Sequence, residues 1–152
     1  MISQKKYWGR WRKNYVNSRG ERMMPEVFVK EHNVSQRPLD IKEGRSNEIG
    51  SYIRSPHGIA SAFQWGYRGM GCQQLAFSIL FDAFGDQGFA YKNRQVFVDK
   101  VIATFPQGST WKINHVGDSF RVSDTPTRSD YDIHGNLTKR EIVITRIGDR
   151  LV

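Results

Sequence analysis

Two consecutive apolar repeats of helical period, separated by a glycine-bounded break, constrain this chain more than any other feature. From Gln73 to Phe84, Leu75, Ala76, Ile79, Leu80 and Ala83 recur on one face, and Gly85 is a natural stop. A second repeat, Ala90, Phe97, Val98, Val101, Ile102 and Phe105, predicts a helix from about Phe89 to Thr104 that ends at Pro106. Gly85 to Gly88 supplies the short connection that an antiparallel hairpin of the two requires.

Both sides of this pair read as strands. Glu26 to Lys30 sets Val27 and Val29 opposite Phe28. Thr110 to Val116 and Ser119 to Ser123 alternate around a Gly117-Asp118 turn, which predicts a hairpin. Glu141 to Ile147 has the β-branched density of a further strand. The stretch from Glu31 to His57 is mostly polar and reads as an extended loop, with a short pairing segment around Leu39 to Lys42. The expected fold is α+β: a small antiparallel sheet built from both ends of the chain and covered on one face by the antiparallel helix pair. At 152 residues, one domain is expected over 1–152, with 117–152 as a C-terminal hairpin extension.

Charge adds a second constraint. The net charge is +8, and residues 1–22 hold most of it: Lys5, Lys6, Arg10, Arg12, Lys13, Arg19 and Arg22 stand against Glu21 alone. Tyr7, Trp8, Trp11 and Tyr15 are interleaved with these cations, so the segment offers phosphate-pairing groups beside flat apolar faces on which unpaired bases can stack. Lys5, Lys6, Trp8, Arg10, Trp11, Arg12, Lys13, Arg19 and Arg22 are therefore the candidate nucleic-acid contacts. The competing readings are a basic surface for an acidic protein partner and a solvated edge strand serving solubility alone, since Tyr7, Gly9 and Trp11 alternate with Trp8, Arg10 and Arg12.

Other classes are disfavoured. Cys72 is the single cysteine, which excludes an intramolecular disulfide and a thiolate zinc cluster. His32, His57, His115 and His134 have no metal-ligand spacing, and no His lies beside Cys72 to mark a nucleophile. No enzymatic activity, cofactor or metal is expected. No run approaches the ~20 apolar residues of a membrane span, and Met1 to Lys13 has no apolar signal core, so a cytoplasmic protein is expected, without membrane contact.

The block from Ser55-Pro56 through Trp65-Gly66-Tyr67-Arg68-Gly69-Met70-Gly71-Cys72 to Gln74-Leu75-Ala76 resembles a family of small bacterial, archaeal and phage proteins whose domain has no assigned function. Tyr7 and Gly9, Val27 and Val29, Val101 to Pro106 and Trp111 extend the resemblance over about two thirds of the chain. Met70 and Cys72 stand where members tend to carry Ser and Pro. The resemblance implies an α+β single domain of microbial or mobile-element origin, and no catalytic residue.

Three further sites are weighed. Gly66, Gly69 and Gly71 precede a helix and, with Arg68, could hold an anion; the alternative is a tight turn beneath Trp65 and Tyr67. Asp130, Asp132, His134, Gly135, Asn136, Thr138 and Glu141 follow the outline of a calcium loop, but a hairpin turn explains the same string without metal. Asp82 and Asp86 read as paired surface carboxylates on the first helix. Two functions are carried forward. The first is a non-enzymatic accessory protein that binds the phosphate backbone of RNA or single-stranded DNA, alone or as a subunit of a nucleoprotein assembly. The second is an adaptor or inhibitor of a host defence complex, encoded by a phage or mobile element, that contacts its partner through Trp65, Tyr67, Arg68 and the 31–57 loop.

Overall fold

The fold was obtained as a computed structural model that describes residues 4–15, 21–31, 36–39, 63–106, 110–122, 133–135 and 141–152, the side chains of 11–15 and 21–24 excepted. Strands β1 (Gln4–Tyr15), β2 (Glu21–Glu31) and β3 (Arg37–Pro38) precede helices α1 (Met70–Phe84) and α2 (Gln87–Lys100) and a 3-10 turn at Ile102–Thr104. Strands β4 (Trp111–Val116), β5 (Ser119–Val122), β6 (Ile142–Ile147) and β7 (Arg150–Leu151) follow. All seven join one antiparallel sheet in the order β3-β2-β1-β4-β5-β6-β7. The architecture is the expected α+β fold.

The helix hairpin forms as read, with shifted ends. α1 starts three residues early, at Met70, and stops where Gly85 enters the left-handed region at φ 65° and returns its N–H to Phe81 O at 2.7 Å. Asp86 is not on α1; it is the N-cap of α2, and its carboxylate accepts from Phe89 N at 3.0 Å. α2 ends at Lys100 and tightens into the 3-10 turn before Pro106. α1 is apolar around most of its girth because it lies within the core: Cys72 and every residue from Gln74 to Leu80 are buried.

One face of the sheet carries the core. Tyr7, Val27, Val29, Trp111, Ile113, Phe120, Val122, Ile144 and Leu151 point to the helices, each separated from the next on its strand by an outward residue. Ile144 and Leu151 are core residues, and β5, β6 and β7 belong to the same sheet as β1 to β4. Trp65 and Trp111 meet edge-on at 5.6 Å, and Phe105 stacks on Trp111 at 5.2 Å. From Lys5 to Gly9 β1 is an interior strand, paired to both β2 and β4, and from Arg10 to Tyr15 it is paired to β2 among the described residues. The pairing segment expected near Leu39 is β3, with Leu39 N donating to Val27 O at 2.8 Å; the rest of that loop, residues 32–35 and 40–57, lies outside the described residues.

Candidate nucleic-acid interface

Strand parity sorts the candidate cations. Lys5 shares the helix-facing side of β1 with Tyr7 and Gly9, whereas Lys6, Trp8 and Arg10 lie on the opposite face. Cross-strand register then builds two rows on that open face. Lys6 is opposite Lys30 of β2 and Asn114 of β4, and Asn114 is opposite Arg121 of β5. Trp8 is opposite Phe28 of β2 and Lys112 of β4, and Phe28 is opposite Pro38 of β3. Neighbouring strands lie ~4.8 Å apart, so each row is a continuous band across the sheet.

The geometry of the rows suits a charged, planar ligand. Trp8 and Phe28 stack at 5.6 Å with their planes 26° apart, both partly exposed. The Arg10 guanidinium lies 5.1 Å from the Phe28 ring and pairs with Glu26 at 2.9 Å. Lys6, Lys30 and Lys112 are exposed and have no ion-pair partner among the described residues. Arg121 is exposed and sits 3.6 Å from Glu141. One face thus carries a stacked ring pair and five cations, of which Arg10 and Arg121 are paired with Glu26 and Glu141, while the buried apolar face holds the sheet on the helices.

Several expected contacts belong elsewhere. Lys5 is largely buried and engaged: its ammonium donates to Asp82 O at 2.9 Å and pairs with the carboxylates of Asp82 and Glu31, each at 3.2 Å. It is a structural residue and is withdrawn from the phosphate-contacting set. Trp65 is fully buried, so it cannot anchor a partner. Tyr67 is exposed, with its ring lying over Gly69, and the exposed Arg68 pairs with Asp99 at 2.9 Å. The glycine segment serves the turn reading: Gly66 takes φ 89° and its N–H bonds Ile102 O at 3.0 Å, and a Cβ at Gly69 would overlap the Tyr67 ring. Trp11, Arg12 and Lys13 lie on β1 and Arg22 on β2, with side chains outside the described set; Arg19 lies outside the described residues altogether.

Asp82 does not stand on the surface beside Asp86. It is a buried carboxylate, 6% exposed, where α1 ends over β1. Tyr7 Oη donates to it at 2.8 Å and the Arg37 guanidinium at 2.8 Å. Burial alone would raise its pKa, but the hydrogen bonds from Arg37 and Tyr7 and the Lys5 charge outweigh that and hold it below the usual carboxylate range. Burial and the adjacent Asp82 push the Tyr7 phenol well above its ordinary value. Two cations and two anions balance here, so the cluster ties α1 to β1, β2 and β3 without offering a free charge. In the calcium outline, Asp130, Asp132, Asn136 and Thr138 lie outside the described residues, His134 and Gly135 form a turn, and Glu141 pairs with Arg121. No group of three His, Cys, Asp or Glu among the described residues is placed to hold a metal ion.

Phe28, Lys30, Lys112, Asn114 and Arg121 share this face, and no local sequence pattern groups them with Lys6 and Trp8. Their signal was present in the alternation of Trp111-Lys112-Ile113-Asn114-His115, but only the strand order shows that β4 and β1 are neighbours. Residues 18–120, from the β1–β2 connection to β5, match a family of unknown function, DUF6166. The chain belongs to this family. The match contains Phe28, Lys30, Lys112 and Asn114, whereas Lys6, Trp8, Arg10 and Arg121 fall outside it. Neither the curated proteins nor the solved structures hold a match to the chain. Among the described residues, no helix is long and apolar enough to cross a membrane.

Proposed function

We propose that the protein is a non-enzymatic nucleic-acid-binding module that holds an unpaired strand on the open face of its sheet. The observation that carries this reading is the stacked Trp8–Phe28 pair between Lys6, Lys30, Lys112 and Arg10 on one solvent-facing surface. Aromatic faces gain from bases only when those bases are unstacked from a duplex, and lysines gain from the phosphates between them. Lys6, Lys30 and Lys112 supply charge; Trp8 and Phe28 supply stacking; Asn114, between Lys6 and Arg121, adds an amide that can both donate and accept. Binding through such a surface is largely independent of sequence.

The test is a salt titration of binding to a labelled single strand of about 15 nucleotides. Affinity should fall steeply with salt, and the Lys6→Ala/Lys30→Ala/Lys112→Ala variant should reduce the slope of log K against log salt by about 2, at ~0.7 per phosphate contact. Trp8→Ala should weaken binding by about 1–3 kcal/mol with little change of slope. Binding that is absent, or insensitive to salt, overturns the proposal.

A further inference from the structure

We infer that the ligand is a short unpaired segment of at most about four nucleotides, whose backbone crosses the β-strands along the lysine row while its bases turn toward the rings. This rests on the reading of the sheet face given above. The first row runs through Lys30, Lys6, Asn114 and Arg121 on neighbouring strands, in steps of ~4.8 Å that add up to ~14 Å. The second row, with Phe28, Trp8 and Lys112, lies two residues along the strands, ~7 Å away. The phosphate and the base of one nucleotide are separated by a comparable distance, so a backbone on the first row sets its bases over the rings. Lys112 stands beyond Trp8, and its flexible stem lets the ammonium meet a phosphate above either row.

What borders the lysine row sets this direction and limits its length. On the side away from the rings stand Gln4, Val116, Ser119 and Thr145, which carry no charge, and the Ser119 and Thr145 hydroxyls bond each other at 2.9 Å. A backbone displaced to that side would lose both the cations and the rings. At its far end the row meets Val143 of β6, exposed and opposite Arg121, with Ile147 and Val152 exposed farther along the same face. Aliphatic side chains give a phosphate no partner, and Glu141, 3.6 Å from Arg121, sets an anion at the same end. Among the described residues the next cation on this face is Arg150, opposite Ile147 and so ~14 Å along β6 from Val143. A stacked strand advances ~3.4 Å per nucleotide and an unstacked one more, so the charged row accommodates at most about four nucleotides. A loop, a bulge or a short overhang presents such a segment, and a long tract gains nothing from its additional length.

Labelled oligothymidylates of about 2, 4, 6 and 12 nucleotides, read by fluorescence anisotropy at low salt, test this. Affinity, divided by the number of registers each length offers, should rise up to about four nucleotides and change by less than about twofold beyond. Val143→Lys adds a cation at the next position of the row and lengthens it by one strand. It should leave the four-nucleotide probe within about twofold, tighten the two longer probes about threefold and raise their salt slope by ~0.7. Val116→Lys adds the same charge on the uncharged flank and should act on every length alike. Both positions are exposed, and urea midpoints confirm that each variant is folded. The inference is overturned if affinity per register keeps rising past about six nucleotides, or if Val143→Lys fails to favour the longer probes over the four-nucleotide one; binding of the longest probe then leaves the sheet-face reading standing. Failure of every probe to bind at low salt overturns both.

Discussion

Gly9 of β1 and Trp111 of β4 are cross-strand partners, and the indole occupies the space a side chain at position 9 would fill. A Cβ on Gly9 would overlap Cε2, Nε1 and Cζ2 of Trp111. That ring is itself fixed, stacked on Phe105 and met edge-on by Trp65, so it cannot swing aside. Gly9→Ala should therefore destabilise the fold by about 1–3 kcal/mol, the usual cost of overpacking, as read by urea unfolding. Trp111→Phe in the same background should recover part of that loss, because the smaller ring vacates the contested space.

The Asp82 cluster should behave as a structural tie. Tyr7→Phe deletes one hydrogen bond to a charged acceptor and should cost about 1–2 kcal/mol. Asp82→Asn leaves Lys5 without its buried counter-charge and should cost about 2 kcal/mol, less than for a fully buried pair because Arg37 is half-exposed. Since the Asp82 pKa is depressed in the fold, its contribution is complete above the ordinary aspartate range and is lost as pH falls through the depressed value. Urea midpoints of the wild type and Asp82→Asn should therefore differ at pH 7 and converge in strong acid.

His115 should define a separate, higher window of pH dependence. Its ring is buried, stacked on Phe120 at 4.5 Å and met by Phe84 at 5.0 Å, and among the described residues neither nitrogen has a hydrogen-bond partner within 3.5 Å. Burial, helped by the Lys5 charge, pushes its pKa from 6.5 down to about 4. The unfolded chain thus takes up a proton below pH 6.5 that the folded protein refuses until about pH 4. Stability is complete above 6.5 and declines as pH falls to about 4, by at most ~3 kcal/mol. His115→Leu should flatten that decline while leaving stability near neutral pH unchanged or higher, because two unsatisfied polar atoms are removed together.

The helix hairpin, the Gly117-Asp118 turn and the β6 segment were legible because each is written in local periodicity or turn chemistry. Asp86 was misplaced because a cap and a last-turn residue look alike when Gly85 separates them by one position. The site was only half legible. Lys6, Trp8 and Arg10 were found from their clustering, but Phe28 and Lys112, adjacent to Trp8 in space, are 20 and 104 positions away in the chain. No local pattern reports which strands become neighbours. Trp65 and Lys5 were assigned to surfaces by residue type, and burial overrode type: one ring filled the space beside Trp111, and one ammonium found two carboxylates.

Lys5 and Lys6 give the sharpest separation of structure from binding, because strand parity sends adjacent, chemically identical side chains to opposite faces of one sheet. Lys5 bridges Asp82 and Glu31 on the helix side, so its ammonium has no route to a ligand on the open face. Lys5→Ala leaves Asp82 with fewer partners and should lower stability by about 1–2 kcal/mol while changing nucleic-acid affinity by less than about twofold. Lys6 is exposed beside Lys30, a like charge directly across the strand pair. Lys6→Ala relieves that repulsion and should leave stability equal or slightly raised, yet remove one phosphate contact and lower the salt slope by ~0.7. Paired measurement of unfolding midpoint and salt slope on the two single variants checks both halves. If Lys5→Ala lost binding without losing stability, the amino-terminal cations would be acting as one undivided charge and the division by sheet face would fail.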